Sequence, residues 1–323
     1  MTPPALRRGF AALGCASAAL GAQPRTHAEY PPVLDSARLV SDIASLAADS
    51  MEGRRIGTAG GARARAFLQG ALIRTGLEAV PGGFTFPFTA KERFGGELHG
   101  VNLLGMVRGT EHPGRYIIVS AHYDHLGVRG GDVFNGADDN ASGAAALLAI
   151  AAWTRAHRPR NSLLFAWFDG EESGLLGAKA FLDRPPVPIA DVEADVNLDM
   201  VSRSVKDELF AAGATPWPVM RPLLDSVAAG ALVTLRIGHD SGLGQDNWIQ
   251  QSDQGPFHDR GIPFVYFGVE DHADYHRSTD RVDRIDPGFY YRSVRTIAEF
   301  VRRLDRSLDA VAGVRAAAAS HSP

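Results

Sequence analysis

The chain of 323 residues has a single cysteine, Cys15, near its N-terminus. Once the leading segment is set aside, no cysteine remains. That excludes a disulfide framework, a thiolate metal site and a cysteine nucleophile. Any metal must then be held by histidine, aspartate and glutamate. Basic blocks are also lacking. A net charge of −4 without a run of Lys and Arg leaves no footprint for nucleic acid. No apolar run is long enough for a stop-transfer span, so no transmembrane segment is expected. No tandem repeat is visible. The glycine-containing stretch "GADDNASG" lacks the Lys-Ser/Thr ending of a phosphate loop, and its acids would repel phosphate. What remains is a chain large enough for a full core.

The first residues differ from the rest. Arg7 and Arg8 precede the small, apolar "GFAALGCASAALGA", and the polar "QPRTHAEYPP" follows. A charged start, a short apolar core and small residues are the marks of an export signal, placed at residues 1–28. "RRGF" resembles the twin-arginine signal, and "ALGC" is an imperfect lipoprotein box ending at Cys15. The expectation is a protein exported to the periplasm or beyond, with a lipid anchor on Cys15 as a further option. Residues 34–310 read as one catalytic domain and 311–323 as a flexible tail, "AAAASHSP" being disordered.

Between these ends, "ARLVSDIASLAADS" and "GTAGGARARAFLQGALIRTG" have helical periodicity. "FTFPF" and "GVNLLGMVRG" read as strands, and "RYIIVSAH" as a buried one. Helices ("ASGAAALLAIAAWTRA", "SGLLGAKAFL") then alternate with strands ("NSLLFAWFD", "ADVNLDM", "ALVTLRI", "IPFVYFG"), and "GFYYRSVRTIAEFVRRLDR" forms a late helix. Alternation of this kind predicts an α/β, three-layer sandwich: a mostly parallel central sheet flanked by helices.

Ligands of open α/β sheets bind beyond the carboxyl ends of the strands, and here those ends carry acids and histidines. "IIVSAH" ends at His122, followed by Asp124 and His125. "LLFAWFD" leads through Asp169 to Glu171 and Glu172. "VNLDM" carries Asp199, and "IPFVYFG" runs on to His272, His276 and Asp280. Asp138 and Asp139 stand before a helix. Each alone has an ordinary explanation, such as a helix cap, a loop histidine or a satisfied buried acid. Gathered at one place, their charges would be intolerable without a cation. Oxygen and nitrogen donors without sulfur suit zinc, manganese or cobalt.

The ordered blocks "HYDHLG", "NGADDNASG", "FDGEESG", "NLDM" and "DYHRSTD" resemble the di-zinc aminopeptidase and glutamate carboxypeptidase-like exopeptidase family, over about Leu39 to Leu304. The resemblance implies the zinc exopeptidase fold and two divalent metal ions, Zn2+ first among them. It implies that His122, Asp139 and Asp199 hold one ion and that Asp139, Glu172 and His276 hold the other. Asp124 would orient His122 through its second ring nitrogen. A cis peptide is implied after Asp139. Glu171 is left without a metal and would serve as general base, its side chain diverging from that of Glu172 on an extended segment. Asp138 is then structural and Asp169 a turn residue. His125 and Asp280 could support the ligands, and His239, His258 and His272 read as loop residues. Arg54 and Arg55 in "EGRRIGTAG" could reach the pocket, and packing of the N-terminal helix pair is the preferred reading. "QSDQGPF" departs from the family pattern, with Gln254 where a His is usual, which leaves the role of Asp253 open. The expected activity is hydrolysis of the N-terminal bond of peptide or aminoacyl substrates. The alternatives are a single-zinc glutaminyl cyclase, against which Tyr275 stands where Trp is expected, and a non-catalytic binding protein on the same scaffold.

Overall fold

The apolar runs become adjacent strands in a computed structural model that describes Met1 and residues 34–91, 95–241 and 246–320. The expected export signal, with Cys15, lies outside the described residues. The strands are β1 Thr85–Lys91, β2 Glu97–Val107, β3 His112–His122, β4 Gly127–Arg129, β5 Asp132–Phe134, β6 Asn161–Phe168, β7 Val192–Leu198, β8 Glu208–Ala212, β9 Thr234–Ile237 and β10 Phe264–Gly268. The helices are α1 Ser36–Leu46, α2 Ala59–Thr75, α3 Gly143–Ala156, α4 Leu176–Asp183, α5 Arg221–Ala228, α6 Gln254–Asp259, α7 Pro287–Arg306 and α8 Leu308–Ser320.

Eight strands form one sheet in the order β1-β2-β6-β3-β7-β10-β8-β9, and β4 and β5 pair as a separate hairpin. At the centre, β6, β3, β7 and β10 run parallel. The sheet is mixed toward its edges, where β2 is antiparallel to both β1 and β6, and β8 to β10. Every residue of β6 is buried, as expected of a strand covered on both faces. Alternation divides its side chains between two cores. Leu163, Phe165 and Trp167 join Ile117, Val119, Leu68, Leu147 and Phe300 on one face. Leu164, Ala166 and Phe168 join Ile118, Phe181 and Phe257 on the other. Helices α1, α2, α3, α5 and α7 thus cover the first face, and α4 and α6 the second.

Two strand features have no counterpart in the sequence reading. β8, from "DELFAA", is a short internal strand, and the β4–β5 hairpin folds within the stretch between His125 and Asn135. The C-terminal segment also differs from its expected start as a tail, since α8 runs through Ser320. Its alanine-rich sequence has high intrinsic helix propensity.

Polar groups fix the layers. Asp305 of α7 accepts from the backbone N–H groups of Arg160 and Asn161, at 2.9 and 2.8 Å, and so holds the start of β6. Between the sheet and α6, Ser120 donates to Asp195 and Asn197, and Asn197 donates to Ser252 and Gln254. Gln254 in turn donates to the Trp248 carbonyl at 2.6 Å. The "SDQG" block is therefore a buried brace, with Gln254 as its hub.

Candidate metal centre

The four central parallel strands deliver their C-terminal residues to one place. His122 is the last residue of β3, Asp199 follows β7, and His276 follows β10. Glu171 and Glu172 follow β6 on a 3-10 turn, Glu171–Ser173, instead of the extended segment expected from the sequence. Their side chains still diverge. Asp139 comes from the turn before α3, and its peptide bond to Asn140 is cis.

Asp139 stands in the middle. Its Oδ1 lies 3.5 Å from His122 Nε2, and its Oδ2 lies 3.1 Å from His276 Nε2. On one side His122 Nε2 is 3.2 Å from Asp199 Oδ1. On the other, His276 Nε2 is 3.3 Å from Glu172 Oε2. Donor atoms of His122, Glu171 and Asp199 lie within 4.8 Å of one another, as do those of His125, Asp139 and Glu172. The structure therefore brings together His122, Asp139, Glu171, Glu172, Asp199 and His276, and it adds His125. That residue is wholly buried, and its Nδ1 approaches Glu172 Oε1 to 2.6 Å.

Asp124 bonds differently from the sequence expectation. Its carboxylate is 3.7 Å from His122 Nδ1, too far for a hydrogen bond, while its own carbonyl is 3.2 Å from that nitrogen. Asp124 Oδ1 instead accepts from the backbone N–H of Glu171 at 3.0 Å. Asp280 accepts from the N–H groups of Asp138 and Asp139, at 3.1 and 3.0 Å, and holds the Asp139 turn. Asp138 accepts from the N–H and hydroxyl of Ser202, and His272 Nε2 lies 3.2 Å from its second oxygen. His272 thus belongs to the support of the site and is more than a loop residue. Asp169 is likewise more than a turn residue: it is buried and accepts from Val101 N–H at 2.9 Å, tying β6 to β2. Gly136 has φ +56, and a Cβ there would overlap the Asp139 carbonyl and the His125 ring.

The electrostatics are those of crowded acids. Burial raises the Glu171 carboxyl well above its ordinary value; His122 opposes this, and Asp199, Asp253 and Glu172 add to it. Asp253, wholly buried, is raised for the same first reason. Burial also works against the Glu172 carboxylate, but the contacts with His125 and His276 more than offset it and hold its pKa down. For His276, burial is outweighed by Asp139 and Glu172, and its pKa rises to about 10. Burial pushes Asp169 up to about 7, aided by Asp124.

These donors fit a divalent cation on two grounds. The set is oxygen and nitrogen only, which suits zinc and its neighbours. In addition, both ring nitrogens of His125 and Oε1 of Glu172 are buried without a hydrogen-bond partner among the described residues. Buried polar atoms are rarely left so. His125 Nδ1 and Glu172 Oε1 come within 2.6 Å without the alignment of a hydrogen bond, as two donors aimed at a common point would.

Comparison with known proteins gives a consistent picture. The family described as Peptidase family M28 matches residues 102–301, more than half of the chain. A probable zinc metalloprotease of Pyrenophora tritici-repentis is 33% identical over 109 residues, which cover 33% of this chain and 25% of that protein. A probable glutamate carboxypeptidase of Zea mays is 30% identical over 205 residues, covering 55% of this chain and 26% of the other. The aligned stretch thus spans about a quarter of these curated relatives. Among solved structures, a leucine aminopeptidase precursor from Bacteroides thetaiotaomicron superposes with a TM-score of 0.68 at 18% identity, covering 84% of this chain and 98% of that one. A zinc aminopeptidase from Bacillus subtilis gives 0.65 at 16%, covering 85% and 96%. At these identities the likeness is one of fold.

Proposed function

The chain belongs to peptidase family M28, and on that premise we propose that it is a metallo-exopeptidase, an aminopeptidase acting on peptide or aminoacyl substrates. The observation that carries the reading is the position of Asp139, whose two oxygens face two separate groups of donors. In this reading His122 and Asp199 hold one divalent ion, Glu172 and His276 hold the other, and Asp139 serves both. His125 is a further donor beside Glu172. Zinc is the ion that the nitrogen and carboxylate set favours. Such ions supply Lewis acidity, which acidifies water and polarises a peptide carbonyl.

Glu171 is the general base of this reading. It takes a proton from the attacking water and returns it to the leaving amine. Burial first, and then the nearness of Asp199, Asp253 and Glu172, raises its basicity, and Asp124 fixes its backbone. Tyr266 donates to the Asp199 carbonyl at 3.1 Å and steadies that ligand. Arg203, on the segment after Asp199, is held by Asp274 at 2.7 Å.

Residues 34–310 act as one catalytic domain, and residues 1–28 direct export to the periplasm or beyond. Among the described residues no helix is long and apolar enough to cross a membrane. The test is a panel of aminoacyl and N-blocked peptide substrates on zinc-reconstituted protein. Hydrolysis that requires a free α-amine is expected; release of C-terminal residues from blocked peptides would contradict the aminopeptidase reading.

A further inference from the structure

Arg54 is wholly buried, and among the described residues no carboxylate pairs with it. It sits at the end of the Asp49–Arg54 turn between α1 and α2, with φ +52. Its guanidinium donates to five backbone carbonyls. Nε reaches Tyr123 at 2.8 Å, Nη1 reaches Leu46 at 3.0 Å and also Asn135, and Nη2 reaches Gly136 at 2.8 Å and Asp139 at 3.4 Å. A guanidinium is the one side chain with enough donors, in a fixed fork, to serve such a set.

The identity of those carbonyls matters more than their number. Tyr123 lies between His122 and Asp124. Asn135, Gly136 and Asp139 form the turn that carries Asp139. These two segments are joined along the chain only through the β4–β5 hairpin, yet one side chain binds both. The turn that holds Arg54 is itself pressed against that hairpin. Gly53 has φ +63, and a Cβ there would overlap the Phe134 carbonyl and come within 2.6 Å of the Gly127 carbonyl. Carbonyl dipoles solvate a cation without neutralising it, so the charge is still felt by Asp139, Asp280, Asp124 and Glu172, the acids that act on Arg54.

We propose that Arg54 is a positioning residue of the metal centre: by clamping the carbonyls of both ligand-bearing segments it fixes the spacing of His122 and Asp139 before any ion arrives. The inference rests on the reading of the site as a metal centre. It differs from a role in packing the N-terminal helices, which would affect stability and leave the affinity for metal unchanged.

The test uses the full chain with Arg54→Lys and Arg54→Met, and reads zinc dissociation constants by chelator competition, with hydrogen exchange of the metal-free proteins beside them. Lysine keeps the charge but has three donors in place of five. Partners that orient ligands typically contribute 10- to 100-fold in metal affinity, so a loss of about 10-fold is expected for Lys and a larger one for Met. Faster exchange should be confined to residues 121–126 and 134–140. Zinc affinity within about two-fold of wild type in both variants, with a lower melting temperature, would overturn the proposal. A measurement on the wild type does not depend on the variants folding. In the metal-free protein both segments should be as protected as β6, and rapid exchange there would equally refute the clamp. A wild-type protein that binds no zinc would overturn the metal reading itself and is distinguished by that control.

Discussion

Replacing Asp195 by asparagine should make the protein gain stability relative to wild type as the pH rises. Asp195 lies in β7 with no exposed surface. One oxygen accepts from the Ser120 hydroxyl at 2.8 Å, and the other has no hydrogen-bond partner among the described residues. Burial pushes its carboxyl from 3.8 up to about 8. The folded protein therefore keeps this proton to near pH 8, whereas the unfolded chain releases it near pH 4. Between those values the unfolded state binds fewer protons, so stability falls as pH rises. At about 1.4 kcal/mol per unit, the three units from pH 4 to 7 cost up to about 4 kcal/mol. Asparagine keeps the acceptor for Ser120 and carries no charge. Its amide leaves two N–H groups unpaired where neutral Asp195 leaves one O–H, a cost that does not change with pH, so the two proteins should differ in slope. Urea titrations at pH 4.5 and 8 measure this. The variant should gain about 2–4 kcal/mol over wild type between the two values, within the bound set by the linkage relation. Parallel pH profiles would refute the assignment of a neutral Asp195.

Other outcomes follow from the same contacts. Asp305→Ala leaves the N–H groups of Arg160 and Asn161 without their acceptor and should cost about 2–3 kcal/mol in urea denaturation; an unchanged midpoint would show that β6 does not depend on this clamp. Chelation should lower the melting temperature and zinc should restore it, since an ion at 100 times its dissociation constant stabilises by about 2.7 kcal/mol. A melting curve indifferent to chelator would count against bound ions. His125→Ala should leave one ion tightly bound and weaken the other by about 10- to 100-fold, as read by metal titration; equal loss of both ions, or of neither, would place His125 elsewhere.

The strand ends were the legible part of the site. His122, Glu171, Glu172, Asp199 and His276 each follow an apolar run, and a parallel sheet brings such positions to one edge. His125 is less legible, because a histidine three residues past a strand reads as an ordinary loop group. Only the fold shows its ring walled in by Gly136 and turned to Glu172. The role of Arg54 is hidden for a related reason. Its local sequence, "EGRRIGTAG", indicates a turn between helices, while its partners Tyr123, Asn135 and Asp139 lie 69 to 85 residues away. Asp169 follows a strand with glycine next, which signals a turn, yet its bond to Val101 spans 68 residues. β8 has only Leu209 and Phe210 as large apolar residues, so no apolar run marks it in the sequence. In each case the deciding contact is long-range, and local pattern does not encode it.

The central claim is that Glu171 moves the proton while its neighbour Glu172 helps hold the ions. The direct measurement is turnover together with metal content in Glu171→Gln. Glutamine keeps the shape and removes the base, so the account predicts a loss of about 10²–10⁴ in kcat with two zinc ions still bound per chain. Wild-type turnover in this variant, or loss of an ion with the activity, would contradict it.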